Sequence, residues 1–186
     1  GNIDEYVSWV KGLKFIDLEN SDIDNGRFAS AEKKFLESTD NEDKINGLLT
    51  YIKSFPDGIH ILKANFYLAQ TYYQVKKYKP ATPAYQFVVD QSQNDFSEES
   101  LAKLAQIYLF DEDYKKEIPL LKRLEQEAFS AENIVFAQRN LMQGYYKIDN
   151  FEMAINYAKK VLQKDKLDNT IANDAKIIIA RSAIKK

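Results

Sequence analysis

The chain is poor in several residue types that commonly carry function or span membranes. Its 186 residues include no cysteine, six glycines, four prolines, one histidine and one tryptophan. The absence of cysteine excludes disulfides and thiolate metal sites. No apolar run is long enough for a membrane span, and no secretory hydrophobic segment is present. The net charge of -2 gives no reason to expect a nucleic-acid partner.

The sequence also offers little to a catalytic or metal site. His60 is the only histidine, and a single histidine near a helix start is more often structural than catalytic. No phosphate-binding loop, dinucleotide fingerprint, zinc-protease motif or nucleophile elbow occurs. The acidic run Asp111–Asp113 does not have the spacing of a calcium loop. We therefore expect no catalytic residues, no metal, no cofactor and no enzymatic activity.

What the sequence does contain is a pattern that recurs about every 36 residues. Large apolar and small residues return with the same internal spacing in three copies, offset by 36 and then 37 positions. A period of this length is typical of stacked helical hairpins. The copies are Leu68, Tyr72, Tyr78, Ala81, Tyr85, Val88; Leu104, Tyr108, Tyr114, Glu117, Leu121, Leu124; and Leu141, Tyr145, Phe151, Ala154, Ala158, Val161.

Apolar spacing and turn residues set the predicted boundaries within each copy. A first helix is followed by a short polar break and by second helices over 80–90, 115–127 and 152–163. Ser97 is predicted to cap a first helix, and Pro56-Asp57-Gly58 to end a hairpin as a turn. Pro83 and Pro119 share one register, so we expect the second helices to start late or to bend there.

The organisation predicted from these signals is a repeat array with a capped N-terminus. Residues 1–24 form a capping segment, and the array follows over 25–186, with repeats at about 25–61, 62–97, 98–134, 135–172 and a partial 173–186. The last segment, from Ala175 to Ala183, resembles a first helix with no second helix after it. We expect the sequence to be a piece of a longer protein, or one that ends on a solvating helix.

These residues resemble the tetratricopeptide repeat family. Leu68-Ala69, Tyr72, Tyr78 and Ala81 match the order of large, small and aromatic residues in that family, and Pro56 matches its closing proline. The resemblance covers about residues 25–186. Glu117 in place of the packing alanine, Met142 in place of a small residue, and repeats longer than the usual 34 residues are departures. The resemblance implies an all-α fold, a right-handed α-α superhelix of antiparallel hairpins.

A narrower resemblance is to bacterial cell-envelope members of that family. The phrase Leu68-Ala69-Gln70-Thr71-Tyr72-Tyr73 and the many tyrosines look like the periplasmic coordinators of the Tol–Pal system and the repeat lipoproteins of outer-membrane assembly. This resemblance alone suggests a periplasmic or cell-envelope location.

The family resemblance also implies a binding surface, because first helices line the concave groove. Its positions in this sequence give a partner-binding set with a glutamine at the ninth position of each copy. A glutamine ladder could bracket a peptide backbone, although glutamine is also simply a good helix former. The aromatic members could be binding anchors or could pack on neighbouring helices. The set is Phe66, Gln70, Tyr73, Gln74, Gln106, Leu109, Phe110, Arg139, Gln143 and Tyr146.

Two functions from different classes follow. The first is a non-enzymatic protein–protein interaction scaffold that holds a segment of a protein or peptide partner in the groove. The second is a structural repeat segment that self-associates through its ends, 1–20 and 175–186. The sequence argues against a clamp for the acidic C-termini of partner proteins. Phe66 and Gln70 stand where the clamping members of the family use lysine and asparagine, and Lys103 is the one residue that matches their pattern.

Overall fold

The computed structural model describes residues 21–164 and 168–185. The predicted capping segment lies outside the described residues as far as residue 20. Within them the chain is all-helical, with no strand. The helices are α1 (21–37 in its described part), α2 (Asn41–Ser54), α3 (Ile61–Gln74), α4 (Tyr78–Val89), α5 (Ser97–Phe110), α6 (Tyr114–Glu127), α7 (Ala131–Lys147), α8 (Phe151–Leu162) and α9 (Asn169–Lys185).

The helices belong to two compact units, one over Gly1–Phe87 (unit 1) and one over Val88–Lys186 (unit 2). In unit 1, α2 packs on α3. In unit 2, each helix from α5 to α9 packs on the next, and α7 also contacts α5 and α9. Sequential packing of this kind is what a helical-hairpin repeat requires, since a hairpin cannot bury its apolar face alone.

Three tight turns join the helices within hairpins, and all three have the same geometry. Each turn places one non-glycine residue in the left-handed region, with φ near 60°. In the first, the N–H groups of Lys76 and Lys77 donate to the carbonyls of Tyr73 and Tyr72, which are the two bonds of a Schellman motif. The left-handed residues are Lys76, Glu112 and Asp149, separated by the same 36 and 37 positions as the sequence copies.

A buried polar network fixes the α2–α3 connection in unit 1. The Tyr51 hydroxyl donates to Asp24 Oδ1 at 2.5 Å, and Ile59 N–H donates to Asp24 Oδ2 at 2.9 Å. Burial, and then the bond to Asp24, raises the pKa of Tyr51. The predicted turn at Pro56-Asp57-Gly58 is confirmed, because Gly58 N–H donates to Phe55 O at 3.0 Å. His60 stacks on Phe28 with 4.3 Å between ring centres, a structural role.

A second polar cluster connects three helices of unit 2 through Glu125. This α6 carboxylate accepts hydrogen bonds from Gln138 on α7 at 2.8 Å and from the Tyr157 hydroxyl on α8 at 3.0 Å, and it pairs with Lys160. Burial raises its pKa, but these bonds outweigh burial and lower the pKa overall. Glu98 acts similarly, accepting from the backbone N–H groups of Phe129 and Ser130 before α7.

One local prediction is wrong, and one of the two alternatives given for the proline-containing second helices is excluded. Ser97 does not cap α5. The N-cap residue is Phe96, and Ser97 Oγ instead accepts from Asn94 N–H at 2.9 Å, while Asn94 Oδ1 accepts from Phe96 N–H. The second helices with internal prolines do not start late: α4 begins at Tyr78 and α6 at Tyr114, and each continues past its proline. Pro83 and Pro119 are the sixth residues, so each removes a single bond near the helix start.

Candidate functional site

Unit 2 contains an open pocket between its first helices α5, α7 and α9. Its volume is about 670 Å³, within the range of sites that hold a peptide side chain or a small ligand. Most of the lining comes from α7, with one residue each from α5 and α9. The lining residues are Leu109, Ala131, Glu132, Val135, Phe136, Arg139, Asn140, Gln143 and Ile171.

The α7 lining residues form one face of the helix. Positions 132, 135, 136, 139, 140 and 143 recur at intervals of three and four, which is the spacing of one helical stripe. The helix is fixed at its start by Ser130, whose hydroxyl accepts from Asn133 N–H at 3.4 Å. The Asn140 amide donates to Phe136 O at 2.8 Å within the helix, so the buried polar residue is satisfied.

Two polar side chains of the pocket, Arg139 and Gln143, differ in whether they already contact another residue. Arg139 Nη2 lies 3.4 Å from Asp174 Oδ2 on α9, so a carboxylate already faces this cation. Gln143 makes no side-chain hydrogen bond to any other residue that the structure describes, so its amide can both donate and accept. The residues that line the pocket therefore offer binding contacts, but they do not include a nucleophilic side chain beside a general base.

A second, smaller pocket continues the surface toward α5. It measures about 420 Å³, and Glu132 and Phe136 line both pockets. The continuous surface over α5, α7 and α9 is called the α7 groove below. The α5 side contributes Glu99, Ala102, Lys103 and Gln106, and Asn133 of α7 completes the smaller pocket.

The α7 groove brings together four of the ten predicted partner-binding residues. Leu109, Arg139 and Gln143 line the larger pocket, and Gln106 lines the smaller one. Phe110 is 51% exposed at the end of α5 and lines neither pocket.

Two predicted aromatics pack within their own hairpins. Tyr73 contacts the rings of Tyr78 and Tyr85, with centres 5.3 and 6.2 Å away, and burial raises its pKa. Tyr146 packs edge-on against Phe151 at 5.8 Å, and Lys185 Nζ lies 5.5 Å from its ring centre. These two contacts favour the packing alternative over the binding-anchor alternative.

The remaining predicted residues lie on α3 in unit 1. Phe66 is only 6% exposed, so it offers almost no surface to a partner. Gln70 is half-buried and Gln74 is exposed. None of the three is part of the α7 groove as defined above.

Sequence reasoning missed Val135, Phe136, Glu132 and Ile171. The predicted copies start at 62, 98 and 135, and the helices start at Ile61, Ser97 and Ala131. The first helix of the third copy, α7, therefore begins four residues before its predicted copy. It is 17 residues long, whereas α3 and α5 have 14 residues each. The signal that could have found the site is the apolar stripe through 135 and 136, preceded by the capping residue Ser130.

Other classes of site were sought in the part of the chain that the structure describes. Over 21–164 and 168–185 no cluster of three or more His, Cys, Asp or Glu side chains could hold a metal ion. None of the described helices is long and apolar enough to cross a membrane.

Comparison with known proteins supports the fold. No protein-family model matches the sequence, and no curated protein matches it. The solved structures similar to this chain include a Podosopora anserina protein described as having kinesin light chain-like, nearly identical TPR-like repeats. It has 13% identity and a TM-score of 0.53, with 85% of this chain and 84% of that chain covered. A single-substitution variant of it gives 14% identity and a TM-score of 0.54 over the same shares. At this identity the similarity shows the fold alone, a TPR-like helical repeat.

Proposed function

We propose that the chain is a non-enzymatic protein-interaction scaffold that binds a segment of a protein partner in the α7 groove. The TPR-like repeat fold generally serves as an interaction scaffold, which supports the class of function. The observation that carries the proposal is the larger pocket, whose lining combines the apolar residues Leu109, Val135, Phe136 and Ile171 with the Gln143 amide. Helices held by packing on both sides need little ordering when a partner binds, so less binding free energy is lost.

The test is selection of a random-peptide display library on the protein, followed by affinity measurements on two variants. Ile171→Lys places a charge in the larger pocket. Ile177→Lys makes the same change on the same helix at a residue that is 45% exposed and outside the pocket. We expect selected peptides to lose about tenfold or more in affinity, roughly 1.4 kcal/mol, for Ile171→Lys and to bind Ile177→Lys unchanged.

The proposal fails if no peptide is enriched. It also fails if the enriched peptides bind Ile171→Lys as well as they bind the unmodified protein. Circular dichroism of both variants verifies that a loss of binding is not a loss of helix.

Self-association is the second candidate, and one observation favours it. Helix α9 exposes Ile177 and Ile184, 45% and 85% exposed, at a spacing of seven residues that puts them on one face. Sedimentation against concentration tests this candidate: Ile177→Lys should then abolish a mass shift that Ile171→Lys leaves intact. The same two variants therefore separate both functions.

The resemblance to cell-envelope repeat proteins is the only basis on which we propose a periplasmic or cell-envelope location. Fractionation of cells that carry the complete gene with an epitope tag tests it. Recovery of the tagged protein with cytoplasmic markers would refute this location.

A further inference from the structure

We infer that the partner segment of the α7 groove joins a large apolar side chain to a neighbouring lysine or arginine, which contacts Glu132. This inference rests on the proposed function and specifies the chemistry of the partner. The apolar side chain occupies the larger pocket against Phe136, Val135 and Ile171, and the cation lies beside the exposed Glu132 carboxylate, which lines both pockets.

The pairing of charges in the α7 groove supports a cationic partner. The charged residues that line the groove are Glu99 and Glu132 against Lys103 and Arg139, so the lining itself is neutral, but Asp174 of α9 pairs with Arg139. Glu132 forms no ion pair with the residues described over 21–164 and 168–185. A cation brought to it by a partner therefore gains a contact without breaking an existing pair.

Arg139 does not offset Glu132, because Asp174 already pairs with it. Asp174 Oδ2 lies 3.4 Å from its guanidinium. An acidic partner segment would have to compete with Asp174 for this cation.

Helix geometry sets the spacing within the partner. Glu132 and Phe136 are four positions apart on α7, which corresponds to about 6 Å along the helix axis. An extended partner that runs along α7 advances about 3.3 Å per residue, so with this orientation the cation stands about two residues from the apolar anchor. The recognised pattern is then an apolar residue and a basic residue separated by one position.

The experiment uses three synthetic nine-residue peptides with blocked ends and a serine–glycine background. Each carries a central phenylalanine, and the residue two positions away is lysine, glutamate or glutamine. Affinities come from NMR titration of the labelled protein at low salt, which also shows which amides are affected. The variants are Glu132→Lys and, as a matched control, Glu152→Lys. Both glutamates are exposed second residues of their helices, so both changes carry the same cost near a helix N-terminus.

We expect the lysine peptide to bind the unmodified protein about 3- to 10-fold tighter than the glutamate peptide, the scale of an exposed ion pair gained and a repulsion avoided. Glu132→Lys should reverse the preference and Glu152→Lys should keep it. The difference should shrink at 0.5 M salt, because exposed charges are screened.

Equal binding of the lysine and glutamate peptides would overturn the inference, as would a preference that Glu152→Lys reverses equally. If none of the three peptides binds while display-selected peptides do, the partner chemistry is wrong and the scaffold function stands. If neither set binds, the proposed function fails as well.

Discussion

Glu117 makes the stability of unit 2 depend on pH in a direction opposite to that of most carboxylates. Its side chain is 0% exposed in α6, and neither carboxylate oxygen has a hydrogen-bond partner in the described residues. Burial raises its pKa to about 7 from an ordinary 4.5. Because the folded pKa lies above the unfolded one, the protonated side chain is the one that the fold accommodates.

The size of the effect follows from that shift. A shift of one pKa unit corresponds to about 1.4 kcal/mol, so the stabilisation at stake is at most about 3.5 kcal/mol. It is fully present below the unfolded pKa near 4.5 and is lost as the pH rises through about 7. Glu98 and Glu125 have lowered pKa values in the folded protein. Their contribution to stability is lost only when the pH falls below the ordinary pKa of a glutamate. The window from pH 5 to 8 therefore isolates Glu117 from these two groups.

The assay is hydrogen exchange of the α6 and α7 amides between pH 5 and 8, corrected for the intrinsic exchange rate. Exchange localises the effect to unit 2, whereas a single melting curve would average over both units. Glu117→Gln is the comparison, since a buried amide has a similar shape and does not titrate. We expect the unmodified protein to lose up to about 3 kcal/mol of protection across this window and Glu117→Gln to stay flat. Parallel profiles for the two proteins, or a carboxyl that titrates near 4.5 by NMR, would refute the reasoning.

Three further predictions concern the turns and the polar clusters. Gly58→Ala should lower the free energy of unfolding of unit 1 by about 1–3 kcal/mol in urea, because the added Cβ would lie 2.6 Å from the Tyr51 hydroxyl oxygen and 2.8 Å from Phe55 Cβ. An unchanged unfolding midpoint would contradict this. Glu112→Gly should stabilise its turn by about 0.5–1 kcal/mol in the same assay, since glycine adopts a positive φ without steric cost, and Glu112→Ala should give no gain. Glu125→Ala should cost about 2–3 kcal/mol, measured by exchange in unit 2, because the Tyr157 hydroxyl loses its acceptor; equal protection in both proteins would show the cluster to be unimportant.

The repeat period predicted the helical fold with considerable detail. It predicted second helices at 80–90, 115–127 and 152–163, and the structure has them at Tyr78–Val89, Tyr114–Glu127 and Phe151–Leu162. The agreement has a physical basis, because the same Schellman turn recurs in each hairpin and fixes the register of its two helices. Apolar spacing and turn length are properties of the local sequence, so both are visible before any tertiary contact is known.

The groove was predicted only in part because it depends on where one helix begins. Counting positions from a common repeat start gave Leu109, Arg139 and Gln143, which line the larger pocket. The family's groove positions do not include that of Phe136, whose equivalents in the other copies are the charged residues Lys63 and Glu99. A pocket formed by a feature of one copy cannot be found from what the copies share.

The packing around Glu117 shows a related limit, because it involves a neighbouring helix. Gly144 lies within α7, and no described glycine has a positive φ, so backbone conformation does not require glycine there. A Cβ at that position would lie 3.3 Å from Ile118 Cγ1 and 3.6 Å from Glu117 Oε2. A mid-helix glycine costs about 0.5–1 kcal/mol relative to alanine, so the space it leaves accounts for its presence. The tighter of the two contacts is the one with Ile118, so the missing side chain on α7 makes room for the residue next to Glu117 on α6. The Glu117 carboxyl itself is fully buried and has no hydrogen-bond partner in the described residues, which keeps its pKa high.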